Sequence, residues 1–468
     1  MSIVHKQRMA LGSGLLNLST WIRRQPWLRA VYRHFPSAVR MRTAQALATY
    51  VSERVRFERT PNWKRRPDPS EFESTGSAVL TEFGEAIGVN IFACIRGQFG
   101  LAEGARLYAR ALLAEGYPVA IHNIDIDIPH GMDDASFDSH IGEILPHGVN
   151  LIFVNPDHLE QAINSIGHSR MGSRYTIACW FWELERFPDE WLPALKLVDE
   201  VMVSTGFIEA AVKRVTEKPV WHVPLPVSGG AESGLMRADF GLEEDSFVFL
   251  NTFDFNSFLP RKNPQAVIDA FRMAFGDGRQ SVKLLIKSSN GHRYPSKLQE
   301  LLKAADIDRR IIIRDEIIDR ADVRALQRCA DAYVSLHRAE GFGLGLAECM
   351  YMGKPVIATA WSGNMEFMTA QNSCLVDYKL VPVGEGEYIH HAQQRWAEPS
   401  IAHAAEQMRR LVEDREYASR LGAQAALDIR NKLSPHEVAL QIIRRNESFS
   451  TVPAESPRYV DDRCSADQ

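Results

Sequence analysis

Two carboxylates eight residues apart, Glu340 and Glu348, flank a run of glycines at Gly341, Gly343 and Gly345 in the segment VSLHRAEGFGLGLAECMYMGKPVIATAWSGNMEF, residues 334–367. Glycines at 341 and 343 let main-chain N–H groups approach a ligand with no Cβ in the way. A helix predicted near 346–352 turns its free N–H groups and partial positive charge to the same place. That combination favours a phosphate. Carboxylates on a phosphate would repel it, whereas beside it they accept hydrogen bonds from hydroxyls. A phosphate between two sugars fits, with Glu348 on a ribose and Glu340 on the second sugar. Taken singly, each glutamate reads as a solvated helix-end charge and GFGLG as a turn; the site reading rests on the combination. A glycosidase acid and nucleophile is the other chemistry that paired carboxylates suggest, but it leaves the glycine loop without a role.

The elements that must hold these residues alternate regularly. Strands are predicted from Phe247 (FVFLN), at 282–286, 311–314, 332–336 and 356–358, with helices from Pro264, at 297–305 and at 322–329. Such βα alternation makes a parallel sheet that binds ligands at the carboxyl ends of its strands. Asn263 is placed to cap the helix opening at Pro264, with Val267, Ile268, Phe271 and Phe275 as its buried stripe, and Arg261 and Lys262 sit just before it. The first half reads the same way, with six strands at 89–95, 119–124, 149–154, 176–179, 200–203 and 220–223. Its first βαβ unit has a loop over 96–103 and a helix stopped by Gly116. The spacing of Gly97, Gly100 and Gly104 is not that of a dinucleotide fingerprint, and the loop reads equally as an ordinary connection. Residues 224–246, with Gly229 and Gly230, read as the interdomain link.

The pattern EGFGLGLAE, followed by GKPVIAT and SGNMEF, resembles the C-terminal signature of glycosyltransferase family 4, retaining enzymes of the GT-B fold. The resemblance covers roughly residues 88–445 and is strongest over 247–366. It implies an α/β chain of two Rossmann-like domains facing across a cleft, here with a basic N-terminal helical extension. The expected domains are an extension (1–70), an acceptor domain (71–226), a nucleotide-sugar domain (227–430), a helix crossing back (431–448) and a flexible tail (449–468). The implied activity is retaining transfer of a mannose- or glucose-type hexose from a nucleotide diphosphate sugar to a saccharide or lipid-linked saccharide in polysaccharide biosynthesis, with GDP-mannose ahead of UDP-hexoses. Another GT-B activity, sugar-nucleotide epimerase or phosphorylase, and a non-catalytic nucleotide-sugar-binding membrane scaffold are the alternatives.

The same resemblance assigns roles. In R-K-N, Lys262 is expected on the donor diphosphate, where a cation neutralises the leaving group. Either Arg261 replaces an arginine that relatives carry upstream, or the Ser257 hydroxyl shares its work. Glu340, Lys262 and Arg261 form the expected catalytic group. Gly341, Phe342, Gly343, Leu344, Glu348, Ser257, Ser362, Gly363 and Asn364 form the donor set, the Asn364 amide being offered to the transferred sugar. In the first domain, Arg96, Gly97, Gly100 and Glu103 are expected to face the cleft. The segment ACWFWELERFPDEW is similar to one in a subset of these transferases; there Trp182 would stack on an acceptor sugar and Glu183 and Glu185 would bind its hydroxyls, unless the tryptophans simply pack in the core.

Composition sets the frame. Hydrophobic content of 45% and charged content of 24% are those of an ordinary soluble protein. The six cysteines show no metal-ligand spacing and suit a reducing compartment. Neither a metal nor a cofactor is expected, and Asp125-Ile126-Asp127 reads as a loop pair rather than a metal site. With no run of about 20 apolar residues and no signal-peptide core, the expectation is a cytoplasmic protein, peripheral at the inner face of the membrane. Residues 1–68 hold 14 Lys/Arg against 3 Asp/Glu, a net charge of +11, which leaves −16 on the rest of a chain of net −5. With Trp21, Trp27, Tyr32 and Trp63 interspersed, this stretch is expected on an anionic membrane surface. A solvated helical extension is the other reading, and nucleic acid ranks last.

Overall fold

The computed structural model describes residues 86–449, apart from 127–129, 143, 173, 277 and 279–280. The basic extension and the C-terminal tail lie outside the described residues. The chain divides into two compact units, one of residues 86–227 with 433–449, the other of residues 228–432.

The first unit is a parallel six-stranded sheet of order β2-β1-β3-β4-β5-β6. Its strands are β1 (Ala86–Ala93), β2 (Val119–Asn123), β3 (His147–Phe153), β4 (Tyr175–Trp180), β5 (Glu200–Val203) and β6 (Val220–His222). The central strands are apolar on both faces because helices cover both. The helices are α1 (Gly100–Ala114), α2 (Pro156–Ile166), α3 (His168–Met171) and α4 (Gly206–Lys213). Asn90, Asn150 and Thr176, in register across β1, β3 and β4, break the apolar pattern and satisfy one another. Asn90 Nδ2 donates to Asn150 Oδ1 at 3.0 Å, and Asn150 Nδ2 to Thr176 Oγ1 at 3.3 Å.

The second unit has a parallel sheet of order β12-β11-β10-β7-β8-β9. Its strands are β7 (Phe247–Asp254), β8 (Val282–Ser289), β9 (Ile311–Asp315), β10 (Ala332–Ser335), β11 (Val356–Thr359) and β12 (Cys374–Val376). Between them run α5 (Leu259–Lys262), α6 (Pro264–Ala274), α7 (Pro295–Asp306), α8 (Arg320–Cys329) and α9 (Leu344–Tyr351). One face packs Phe249, Leu284, Ile286, Ile313 and Val334 against Val267 and Phe271 of α6, Leu298 and Leu302 of α7, and Met408 and Leu411 of α10 (Ile401–Glu413). Residues of opposite parity, Thr252 and Tyr333, lie beneath the first turn of α9. An antiparallel hairpin, β13 (Tyr378–Pro382) with β14 (Arg395–Pro399), and the short β12 are absent from the sequence expectation. Three residues of strand in β12, or five without a buried position in β13, carry too little periodicity to read.

After α11 (Arg415–Lys432) the chain returns to the first unit as α12 (Pro435–Phe449). Val438, Ala439 and Ile442 are buried there, Arg445 pairs with the fully buried Glu200 at 2.6 Å, and Asn446 Nδ2 donates to Gly88 O at 2.8 Å.

Asn263 does not cap α6 with its side chain. It sits at the junction of α5 and α6 in the left-handed region, φ 50°, which only a turn between two helices requires. The expected buried stripe, Val267, Ile268, Phe271 and Phe275, is fully buried.

Candidate functional site

The second unit gathers three separate stretches at the carboxyl edge of its sheet: α5, the loop after β10, and the loop after β11. The loop after β10 is held from beneath by His337, which is fully buried. Asn364 Nδ2 donates to Thr359 O at 3.0 Å, which leaves Oδ1 to accept from His337 Nε2, also at 3.0 Å; the opposite ring nitrogen lies 3.1 Å from Ser335 Oγ. Burial lowers the imidazole pKa, the Glu340 charge opposes it, and the net shift is downward. The ring is therefore a neutral structural pin. Arg338 is tied by its guanidinium to Glu398 at 2.6 Å and to Pro260 O at 2.9 Å.

Glu340 is clamped through both main chain and side chain. Its N–H donates to Ser362 Oγ at 2.8 Å, and its carbonyl accepts from Gly363 N at 2.8 Å. A Cβ on Gly363 would sit 2.0 Å from Gly341 O, so these two loops meet only because position 363 is glycine. The carboxylate, 8% exposed, accepts from Lys262 Nζ at 2.5 Å and lies 3.3 Å from Arg261 Nη1. Arg261 is 4% exposed and also donates to Ala339 O at 2.8 Å. Burial pushes the Glu340 carboxyl up, but Lys262 and then Arg261 outweigh it and hold the pKa at about 2. A carboxylate ionised at all ordinary pH accepts hydrogen bonds and cannot serve as a general acid near neutrality.

Beyond Glu340 the chain turns through Gly343, φ 90°, straight into α9, whose N-terminus has no side-chain cap. Leu346 N and Ala347 N already donate to Gly343 O at 3.0 and 3.1 Å, and the start of the helix ahead of them, at Leu344 and Gly345, is the part suited to phosphate. Glu348, one turn in, is 6% exposed; Arg320 of α8 pairs with its Oε1, and Gln327 Nε2 donates to its Oε2 at 3.1 Å. Arg320 and Gln327 are missing from the sequence reading because nothing local links them to a glutamate more than 20 positions away.

Several expected contacts are corrected by this geometry. Phe342 turns inward, buried against Phe367 with ring centroids 5.2 Å apart, so only its main chain faces the loop. The Asn364 amide is fully buried and spent on Thr359 and His337 rather than offered to a sugar. Ser257 ends the 3-10 turn before α5, and its carbonyl accepts from Arg261 Nε at 3.3 Å, a contact that leaves the role expected of its hydroxyl unchanged. Ser362 takes φ 76°, ψ −148°, a strained backbone that its bond to Glu340 helps to hold.

In the first unit, Gly97 forms a tight turn, its N–H on Cys94 O at 2.7 Å, and Arg96 reaches Asp138 at 2.7 Å with both side chains about half exposed. Gly100 belongs to the first turn of α1 rather than to the loop, and a Cβ there would meet nothing within 4 Å. Glu103 is turned inward: 7% exposed, it pairs with Arg106 at 2.8 Å, and Arg106 donates to Ile95 O and Gly97 O. Through Arg106 it braces the loop. Trp182 is 1% exposed, edge-on to Trp191 at 4.8 Å, with Nε1 donating to Arg186 O at 2.9 Å. Burial removes it as a stacking platform. Phe181, of opposite parity, is the half-exposed ring of that segment, while Glu183 and Glu185 are half-buried.

Residues 254–414, which include the whole of the clamp around Glu340, match the family model Glycosyl transferases group 1. The chain contains a glycosyltransferase domain. A trehalose synthase from Rubrobacter xylanophilus is 25% identical to it over 210 residues, 44% of each chain, so the match spans less than half the length of that relative. Among solved structures, sucrose-phosphate synthase from Thermosynechococcus elongatus superposes with a TM-score of 0.54 at 16% identity, over 78% of this chain and 99% of that one. Anabaena HepE, solved with UDP and glucose, superposes with a TM-score of 0.57 at 15% identity, over 78% of this chain and 100% of that one. These likenesses show the fold of the two units, GT-B, with a Rossmann-like domain in each.

Proposed function

We propose that the chain is a retaining glycosyltransferase of the family 4 type, moving a mannose- or glucose-type hexose from a nucleotide diphosphate sugar to a saccharide or lipid-linked saccharide acceptor. The observation that carries this is the clamp: an ionised Glu340 fixed between Lys262 and Arg261, beside an uncapped helix start and one turn from Glu348. The helix start and Lys262 take the diphosphate, Glu340 the hydroxyls of the transferred sugar, and Glu348 the ribose. The solved complex of HepE with UDP and glucose supports nucleotide sugars as the first donors to try.

Glu340 is a poor nucleophile with two cations on it, so the reaction runs by same-face substitution. The bond from the anomeric carbon to the diphosphate breaks as the acceptor oxygen bonds on that face, and the acceptor proton passes to the departing phosphate. Lys262 balances the charge that builds on the leaving group. The reaction needs no metal, and EDTA is expected to leave the rate unchanged. Product analysis with UDP- and GDP-hexoses and an acceptor tests the proposal. Transfer with retained configuration and no glycosyl-enzyme adduct by mass spectrometry is expected. A sugar nucleotide altered without acceptor would mean an epimerase, a released sugar phosphate a phosphorylase, and binding without turnover a scaffold.

A further inference from the structure

The polar residues farther along the same sheet edge take no part in the clamp. Lys287 lies near the carboxyl end of β8, in register with Thr252 of β7 on one side and Arg314 of β9 on the other. Residues in register on neighbouring strands project to one face, and alternation returns Glu316 to the face of Arg314. Glu316 N donates to Ser288 O at 3.0 Å, so it extends the ladder beside Lys287. This is the face beneath α9: a Cβ on Gly345 would lie 3.5 Å from Thr252 Oγ1, which is 2.7 Å from the Tyr333 hydroxyl. From the glycine loop over β10, the strand order leads through β7 to β8 and β9 in steps of about 4.8 Å. A nucleoside diphosphate with its phosphates at that loop covers such a span. Glu348 is held by Arg320 and Gln327 of α8, the helix that follows β9, so a ribose on Glu348 directs its base toward β8 and β9.

Lys287 is 8% exposed, yet among the described residues its ammonium makes no hydrogen bond. Burial lowers its pKa, against the pull of Asp254, Asp315 and Glu316. The ammonium tip itself still reaches solvent, so an acceptor on a ligand can come to it. Lys287 and Arg314 are donors only, and an ionised Glu316 is an acceptor only. Together they match a base edge that sets carbonyl oxygen beside a ring N–H, as in uracil and guanine. Cytosine and adenine place an amino group where that carbonyl stands, and with the ribose held on Glu348 the amino group faces the ammonium.

We propose that Lys287 and Glu316 read the base of the donor nucleotide and select an oxo base, uracil or guanine, over an amino base, cytosine or adenine. This rests on the donor site proposed above. The test is calorimetric titration of the full chain with UDP, GDP, CDP and ADP, for wild type, Lys287→Met and Glu316→Gln, each checked by circular dichroism. Wild type is expected to bind UDP or GDP at least about tenfold tighter than CDP and ADP. Lys287→Met should erase most of that preference while leaving CDP and ADP affinity unchanged, and Glu316→Gln should narrow it. Equal affinity of wild type for all four nucleotides overturns the selection yet leaves the donor site standing. So does an equal fall for all four in Lys287→Met, which would mean a phosphate contact or a structural role. No binding of any nucleotide to folded wild type overturns the donor site and this reading together. If Lys287→Met does not fold, the wild-type ratios and Glu316→Gln still decide.

Discussion

Lys262 and Glu340 approach to 2.5 Å in a pocket where both are largely buried, so neither can be removed without exposing the other's charge to a poor solvent. Breaking one partner of such a pair costs about 3–5 kcal/mol. Glu340→Gln keeps the shape and loses the charge, and at pH 7 it is expected to lower stability by an amount in that range. The sign with pH follows from the depressed carboxyl, about 2 in the folded chain against about 4.3 unfolded. Its stabilisation is complete above the unfolded value and is lost as pH falls toward 2. Calorimetric melts of wild type and Glu340→Gln should therefore converge between pH 5 and pH 2.5, and a constant gap would contradict the ion-pair account. Lys262→Ala removes the cation from the leaving group. A loss of about 10²–10³ in kcat/KM is expected, most of it in kcat; a rise in KM alone would assign Lys262 to ground-state binding.

At the scale of elements, the loops after β10 and β11 act as one unit, because Gly363 lets the second lie on the carbonyl of Gly341. Gly363→Ala puts a methyl 2.0 Å from that oxygen and is expected to destabilise by about 1–3 kcal/mol and to displace Glu340. Urea unfolding reads the first effect and turnover the second; wild-type values for both would show that the loops are not coupled. The segment after β4 illustrates parity. Trp180 and Trp182 share the buried side and Phe181 the other, because alternate residues of extended chain face opposite ways.

At the scale of the molecule, the N-terminal unit is built from two distant stretches, and α12 closes it with a buried apolar stripe and the Arg445–Glu200 pair. A chain stopped after Lys432 leaves Glu200, fully buried, without Arg445 and exposes the surface under Val438 and Ile442. It is expected to melt earlier and less cooperatively by circular dichroism, and an unchanged melt would show that α12 is dispensable. Among the described residues no helix is long and apolar enough to cross a membrane. Attachment through residues 1–68 is therefore proposed on charge and aromatic content alone. Deleting them is expected to weaken sedimentation with anionic liposomes and not with neutral ones; equal binding by the full and shortened chains would refute it.

The sequence by itself determined the alternation of strands and helices, and hence two parallel sheets with polar loops at their carboxyl edges. Apolar runs bounded by Gly, Pro and Asn are local signals, and the physics that reads them is local too. It also singled out Glu340, Lys262, Arg261 and Glu348, because glycines and charges at short spacing limit what a loop can do. Tertiary structure alone decided which groups each of them meets. The fixing of Glu340 by Ser362 and Gly363, the hold of Arg320 and Gln327 on Glu348, and the spending of Asn364 on His337 all join residues more than 20 positions apart. The inward turn of Glu103 and Trp182 was set by where Arg106 and Trp191 stand. Burial and hydrogen-bond partners belong to the packed chain, and no spacing in the sequence encodes them.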